Sequence, residues 1–193
     1  MKKVSFILAA LAISLLSFVS LPPSTWTLDT AHSNLRFSIT SLMISEVEGS
    51  FKMTEATINA PGEEDFSGAA VSMTADVNSV DTNEPDRDKH LKSADFFDAA
   101  KYPAIKFKST AFEKQSDKKY KVTGDLTFHG ITKQVILDAI VNYGTHPVTK
   151  KTLAGFKISG LIKRTDFGIA ATTPAAMLGD EVVIVANAQF AKN

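Results

Sequence analysis

The stretch "GAAVSMTADVNSV", Gly68 to Val80, sets Ala69, Val71, Met73, Ala75 and Val77 on one parity and Ser72, Thr74, Asp76 and Asn78 on the other. Successive side chains of a β-strand point to opposite faces, so this alternation describes a strand with one apolar face and one wetted face. The same parity runs outward in both directions. Upstream, "NLRFSITSLM" places Leu35, Phe37 and Ile39 on one face, and "EVEGSFKMTEATINA" places Val47, Phe51 and Met53 there with Gly49 in phase. The second stretch then slips parity toward Ala56 and Ile58, which reads as a β-bulge. Downstream, "AIKFKSTAF" is led by Ile105 and Phe107, and "YKVTGDLTFHG" aligns Tyr120, Val122, Leu126 and Phe128. "KQVILDAIVNY" aligns Val135, Leu137, Ala139, Val141 and Tyr143, "AGFKISGLIK" aligns Phe156, Ile158 and Ile162, and "EVVIVANAQF" aligns Val182, Ile184, Ala186, Ala188 and Phe190.

Two regions break the alternation. Glu84 to about Ala100 reads as a helix, with Thr82 or Asn83 as its cap, Pro85 early and Asp86 and Asp88 in the first turn. A second, short helix is expected around "TPAAMLGD". Long consecutive strands with so little helix give an all-β, antiparallel architecture. Alternation alone does not separate a closed barrel from a sandwich. The helical insertion favours an eight-stranded barrel, because a barrel has an open end to cover and closure removes exposed strand edges.

The chain has 193 residues with 21 basic and 21 acidic side chains, so overall charge gives no pull toward nucleic acid. Lys2 and Lys3 followed by an uncharged apolar run from Val4 to Val19 form the layout of an export signal over residues 1–20, with cleavage expected between 20 and 25. The remainder, residues 25–193, reads as one domain in the periplasm or outside the cell. There is no cysteine, so disulfides, lipoprotein anchoring, thiol chemistry and cysteine-based metal sites are excluded.

Polar candidates are few. "RDKHLKSADFFDAAKYP" collects Arg87, Asp88, His90 and Asp95 ahead of Phe96, Phe97 and Tyr102. On a helix Asp86 and His90, and Asp88 and Lys92, lie one turn apart, so a solvated face with intrahelical pairs is the leading reading and a polar rim touching a ligand head group the next. His32, His90, His129 and His146 have no metal-binding spacing, and no metal is expected. "RTDFG" repeats a kinase tripeptide without any of its context, so Arg164 and Asp166 read as a strand-end ion pair and turn. No nucleophile is set beside a base, so catalysis is disfavoured. An enzyme using His32, His90 or His129 with Asp or Arg partners is the minor alternative.

The inward parity itself remains. In a sandwich it is simply core; in an eight-stranded barrel the interior is filled by side chains or holds one small ligand. The residues expected to line such an interior are Phe37 and Ile39, Phe51 and Met53, and Val71, Met73 and Ala75 in the first half. Phe107, Leu126 and Phe128, Leu137 and Ala139, Phe156 and Ile158, and Ile184 supply the second. Small positions on the same inward parity, Gly49, Ala69, Ala75, Ala139, Gly160 and Ala186, leave room for a dry channel.

"WTLDTAHSNLRFSI", "GSF", "RDKHLKSADFFDAAKYPAIKF", "GDLTFHGITK" and "RTDFG" followed by "GDEVVI" stand in an order that resembles the YceI-like, polyisoprenoid-binding, lipocalin-like proteins, from Trp26 to Phe190. The resemblance implies an exported barrel of lipocalin type that binds a long isoprenoid or similar amphiphilic lipid, with no cofactor and no catalytic activity. Its motifs map onto Asp29, His32, Arg87, Asp88, His90, Asp95, Arg164 and Asp166. Expected partners are therefore a lipid and, transiently, a membrane or membrane protein. The competing expectation is an envelope stress or redox-partner protein with a filled barrel.

Overall fold

The computed structural model describes residues 23–193, so the stretch read as an export signal lies outside the described residues. Eight strands follow in order: β1 (Ser24–Ser41), β2 (Ser45–Ala60), β3 (Ala70–Asp81), β4 (Ala104–Ser116), β5 (Lys119–Phe128), β6 (Ile131–Thr145), β7 (Thr152–Lys163) and β8 (Leu178–Lys192). Each pairs antiparallel with the next, and β8 pairs with β1, closing the barrel. With consecutive strands always adjacent, the connections sort to alternate ends. One end, the mouth, carries the β1–β2 turn, the insertion between β3 and β4, the β5–β6 turn and the β7–β8 connection. The other carries the remaining three connections and both ends of the described chain.

The strand that decides the fold shows its parity directly: Ala69, Val71, Ala75 and Val77 are buried, with Met73 half-buried between them. The parity slip in β2 is a bulge. Met53 and Ala56 are both buried with Thr54 and Glu55 exposed between them, while the pairing with β3 shifts from Met53↔Ala75 to Glu55↔Thr74. β4 carries a shift of its own between Ser109 and Ala111, which turns Phe112 inward alongside Phe107 although the two stand an odd number of positions apart.

The end away from the mouth is shut. Phe66, in the connection between β2 and β3, folds under the barrel, fully buried, with its ring 5.4 Å from Trp26 and 5.0 Å from Phe156. Phe190 lies 5.4 Å from Phe156, and Phe112 packs 5.2 Å from Tyr120. Aromatic pairs at such separations add roughly 0.5–1.5 kcal/mol each beyond their burial.

The helix differs from its expected span. It runs Pro85–Lys92 as α1, with Glu84 rather than Thr82 or Asn83 as its cap; the Glu84 carboxylate accepts from the Arg87 amide at 2.6 Å. Ser93 ends it, its hydroxyl donating to the His90 carbonyl at 2.7 Å. Beyond Ser93 the chain proceeds by turns, including Asp98 at φ 45°. Neighbours on a continuing helix point about 100° apart, whereas here Phe96 and Phe97 both reach the barrel interior. The second helical element is a 3₁₀ turn at Arg164–Phe167, upstream of its expected place. "TPAAM" forms a turn closed by the Met177 amide on the Pro174 carbonyl at 2.8 Å, and Leu178–Asp180 already belong to β8.

Candidate functional site

The inward faces enclose an apolar cavity of about 380 Å³. Its floor is Phe112, Phe156 and Phe190, its waist includes Met53, Met73, Leu126, Leu137 and Ile184, and a second aromatic group crowds the mouth. There Phe51 lies 5.7 Å from Phe97 and 5.4 Å from Phe37, and Phe97 lies 5.2 Å from Phe128.

Thirteen of the interior positions named from sequence border this cavity: Phe37, Ile39, Phe51, Met53, Val71, Met73, Phe107, Leu126, Phe128, Leu137, Phe156, Ile158 and Ile184. Ala75 and Ala139 do not. Both are fully buried, Ala75 between its cross-strand partners Met53 and Ile105 and Ala139 between Tyr120 and Ile158, whose larger side chains close over them. Nor do Gly49 and Gly160 leave space. A Cβ on Gly49 would come within 2.5 Å of the Phe37 ring, its cross-strand partner, and one on Gly160 would strike Leu137. The alanines that do border the cavity are Ala56 of β2 and Ala186 and Ala188 of β8.

Other lining residues carried weak sequence signals. Phe112 is hidden by the β4 bulge, and Phe167 and Ile169 lie outside any alternating strand. Leu91, Phe96 and Phe97 arrive on the insertion, where only their aromatic and aliphatic clustering marked them.

The polar candidates separate. Arg87, His90 and Arg164 border the cavity at its mouth; His32, Asp88 and Asp166 do not. Arg87 donates from Nε to the Thr82 hydroxyl and from Nη2 to the Thr82 carbonyl, both at 2.8 Å. Asp88 accepts from the same Thr82, amide and hydroxyl, at 2.8 and 2.6 Å. Thr82 is thus the knot that joins β3 to α1. The pairs expected along the helix, Asp86 with His90 and Asp88 with Lys92, are not formed; His90 instead lies 3.9 Å from Asp95 and edge-on to Phe96.

Arg164 is not paired with Asp166. It is 4% exposed, and its five N–H donors reach the carbonyls of Gly179 (2.9 Å), Ile169 (3.1 Å), Ala170, Thr173 (2.7 Å) and Leu178 (3.0 Å). Its guanidinium gathers the β7–β8 connection into a collar while its stem touches the cavity. Beside it, Asp180 accepts from the Thr165 hydroxyl at 2.7 Å and amide at 3.2 Å. Those bonds, with Arg164 and Lys163 nearby, hold its carboxyl below the ordinary 3.8.

His32 sits on the irregular part of β1, its Nδ1 2.8 Å from Asp29, whose carboxylate also accepts from Gln189 at 3.0 Å. The His32 bond is the main cause that keeps the Asp29 carboxyl below its usual value. His129 has its Nδ1 3.1 Å from the Phe167 carbonyl and its ring against Tyr102, tying the β5–β6 turn to the 3₁₀ turn. No three His, Cys, Asp or Glu side chains gather in a metal-holding group among the described residues. What the arrangement offers is a water-poor apolar interior, shut at one end and bordered at the other by Arg36, Arg87, His90 and Arg164.

The family model for the YceI-like domain matches residues 26–190. Protein YceI of Escherichia coli O157:H7 is 39% identical over 160 residues, 82% of either chain, and protein YceI of Salmonella newport is 39% identical over 155 residues, 80% of this chain and 78% of the other. The crystal structure of a Campylobacter jejuni YceI protein superposes with a TM-score of 0.70 at 35% identity, covering 78% of this chain and 87% of that one. Burkholderia cenocepacia BcnA superposes with a TM-score of 0.72 at 26% identity, over 84% and 98% of the two chains. A polyisoprenoid binding domain from Saccharophagus degradans shares the fold with a TM-score of 0.64 at 14% identity, over 87% and 98%.

Proposed function

Because this chain belongs to the YceI-like family, we propose that its barrel holds one long-chain isoprenoid or similar amphiphilic lipid, without modifying it, as a carrier or store. The observation that carries the reading is the cavity. It is lined almost wholly by apolar side chains, shut at one end by Phe66 and Trp26, and bordered at the other by Arg87 and His90. Its volume falls in the range of small-molecule sites, about 300–1,000 Å³. The polyisoprenoid-binding description attached to the Saccharophagus degradans domain supports the ligand class. A prenyl tail would lie along the waist with its polar head at Arg87 and His90.

Burial supplies the free energy. Each CH₂-sized group removed from water is worth about 0.8 kcal/mol, so a five-carbon isoprene unit contributes about 4 kcal/mol at most. Two to four units, about 8–16 kcal/mol at most, offset an association cost of roughly 4–15 kcal/mol. A filled-barrel scaffold is the weaker reading because the interior retains this space, and an enzyme is weaker because His32 lies away from the cavity, His129 is engaged by Phe167, and His90 at the mouth has only Asp95, at 3.9 Å, as an ionisable partner among the described residues. The apolar run at residues 4–19 supports export, and we assign the protein to the periplasm or the exterior.

The test is extraction of the purified protein and identification of co-purified lipid by mass spectrometry, followed by affinity for prenols of increasing length. Affinity is expected to climb with each isoprene unit and then level when the channel is full. A protein recovered empty that also ignores added prenols would sink the reading, and a bound lipid released chemically altered would replace it with an enzyme.

A further inference from the structure

The β1–β2 turn, Ser41 to Ile44, is closed by the Ile44 amide on the Ser41 carbonyl at 3.2 Å. Its two central residues, Leu42 and Met43, stand at φ 52° and 59°. Two positive φ angles in a hairpin turn suit asparagine and glycine and are costly for large side chains. The β5–β6 turn at the same end adopts positive φ at both central positions with His129 and Gly130, using glycine at the second. The cost at Leu42 and Met43 is not offset by packing: Leu42, Met43 and Ile44 are 56%, 72% and 86% exposed. Met177, also 56% exposed, is held beside them because its carbonyl accepts the Leu42 amide at 3.0 Å. Exposed Lys118 and Lys150 also stand at positive φ, but only at this turn does such strain fall on two consecutive large apolar side chains left out of the core, which points to a functional surface. The surface is continuous with the cavity, since Ser41, Ile39 and Leu178, the adjoining residues, line its entrance.

We propose that this turn docks the protein on a lipid bilayer. Leu42, Met43, Ile44 and Met177 enter the boundary between head groups and acyl chains, so that a lipid tail passes into the cavity without crossing water. The lipid-binding reading above gives the docking its purpose, but the docking itself stands on the turn. Charge argues for this occupant over a second copy of the chain. Glu46 and Glu48 flank the turn on β2 and Asp180 and Glu181 lie on adjoining β8, outnumbering Lys163 opposite Glu181, so two copies set turn against turn would bring like charges together. The absence of a basic cluster on these strands also predicts contact that is apolar rather than electrostatic, strong on zwitterionic membranes and little affected by salt.

Because the protein has no cysteine, one can be placed where needed. Met43→Cys and, at the opposite end, Val148→Cys, whose site is 81% exposed, are each labelled with a polarity-sensitive fluorophore and mixed with phosphatidylcholine vesicles. The label at 43 is expected to shift to the blue equally at low and high salt, and the label at 148 to stay unchanged. The double variant Leu42→Asn/Met43→Gly relieves the turn, so it should melt no lower than the parent while its vesicle association falls by about tenfold or more. It should still bind a short prenol supplied in solution. No shift at 43, an equal shift at 148, or undiminished vesicle association of the double variant overturns the proposal. So does a shift at 43 that appears with rising protein concentration and no vesicles, which would assign the turn to a second copy. If the parent docks through the turn yet takes up no prenol from vesicles or solution, the docking holds and the lipid-carrier reading falls.

Discussion

Arg164 brings a positive charge into the barrel end with no carboxylate within ion-pair distance among the described residues; five carbonyls take up its fork, and Asp180 lies near enough to feel its charge. Deleting the fork leaves those acceptors without their donors, so Arg164→Ala is expected to cost about 3–5 kcal/mol in urea unfolding, with Arg164→Lys intermediate because three donors replace five. Two alanines separate packing from function. Ala186→Phe places a ring in the cavity and should shorten the longest prenol bound, while Ala75→Phe meets Met53 and Ile105 and should cost about 1–3 kcal/mol of stability instead. Chain-length profiles and melts of the two variants check this together. Sequence spacing assigned both Ala75 and Ala139 to the lining because parity gives the side of a strand and says nothing of how far a larger neighbour reaches across it. Arg164 was legible as a strand-end residue, but its partners were not, since a backbone carbonyl leaves no trace in residue identity.

At the scale of elements, the strands were legible almost entirely, because one face of each is dry and the period of two survives every turn. The β4 bulge was not, since one extra residue at Thr110 exchanges the faces without altering composition. α1 was placed correctly but given too long a span; Ser93 ends it, and the aromatics that follow obey the barrel rather than the helix. His90 is exposed at 60% of its side chain and makes only a 3.9 Å approach to Asp95 and an edge contact with Phe96. His90→Ala is therefore expected to change the melting temperature little, whereas Thr82→Val removes the hydroxyl that Arg87 and Asp88 share, leaves their bonds to the backbone of residue 82, and should loosen α1, read by faster amide exchange across residues 85–92. The start of β8 is pH-dependent. Asp180 has a depressed carboxyl pKa when folded, so its contribution is present above the unfolded value near 3.8 and is lost as pH falls through the folded one. Asp180→Asn should lower stability at neutral pH and narrow its gap to the parent below about pH 4, measured by unfolding at each pH.

For the whole molecule, closure of β8 on β1 and the aromatic plug make a vessel with a floor. Phe66→Ala should cost about 3–5 kcal/mol, and prenols longer than the parent can hold should then bind, because the tail gains a second way out. A floor also governs time. A tail that entered by the mouth must leave by it, withdrawing segment by segment, and it recovers none of the lost contact until it meets another apolar medium. With about 4 kcal/mol per isoprene unit, each additional buried unit lengthens the unassisted dwell by up to roughly three orders of magnitude. Release into plain water would then be too slow to serve as delivery, so unloading is set by the recipient, which must take hold of the emerging chain at the rim.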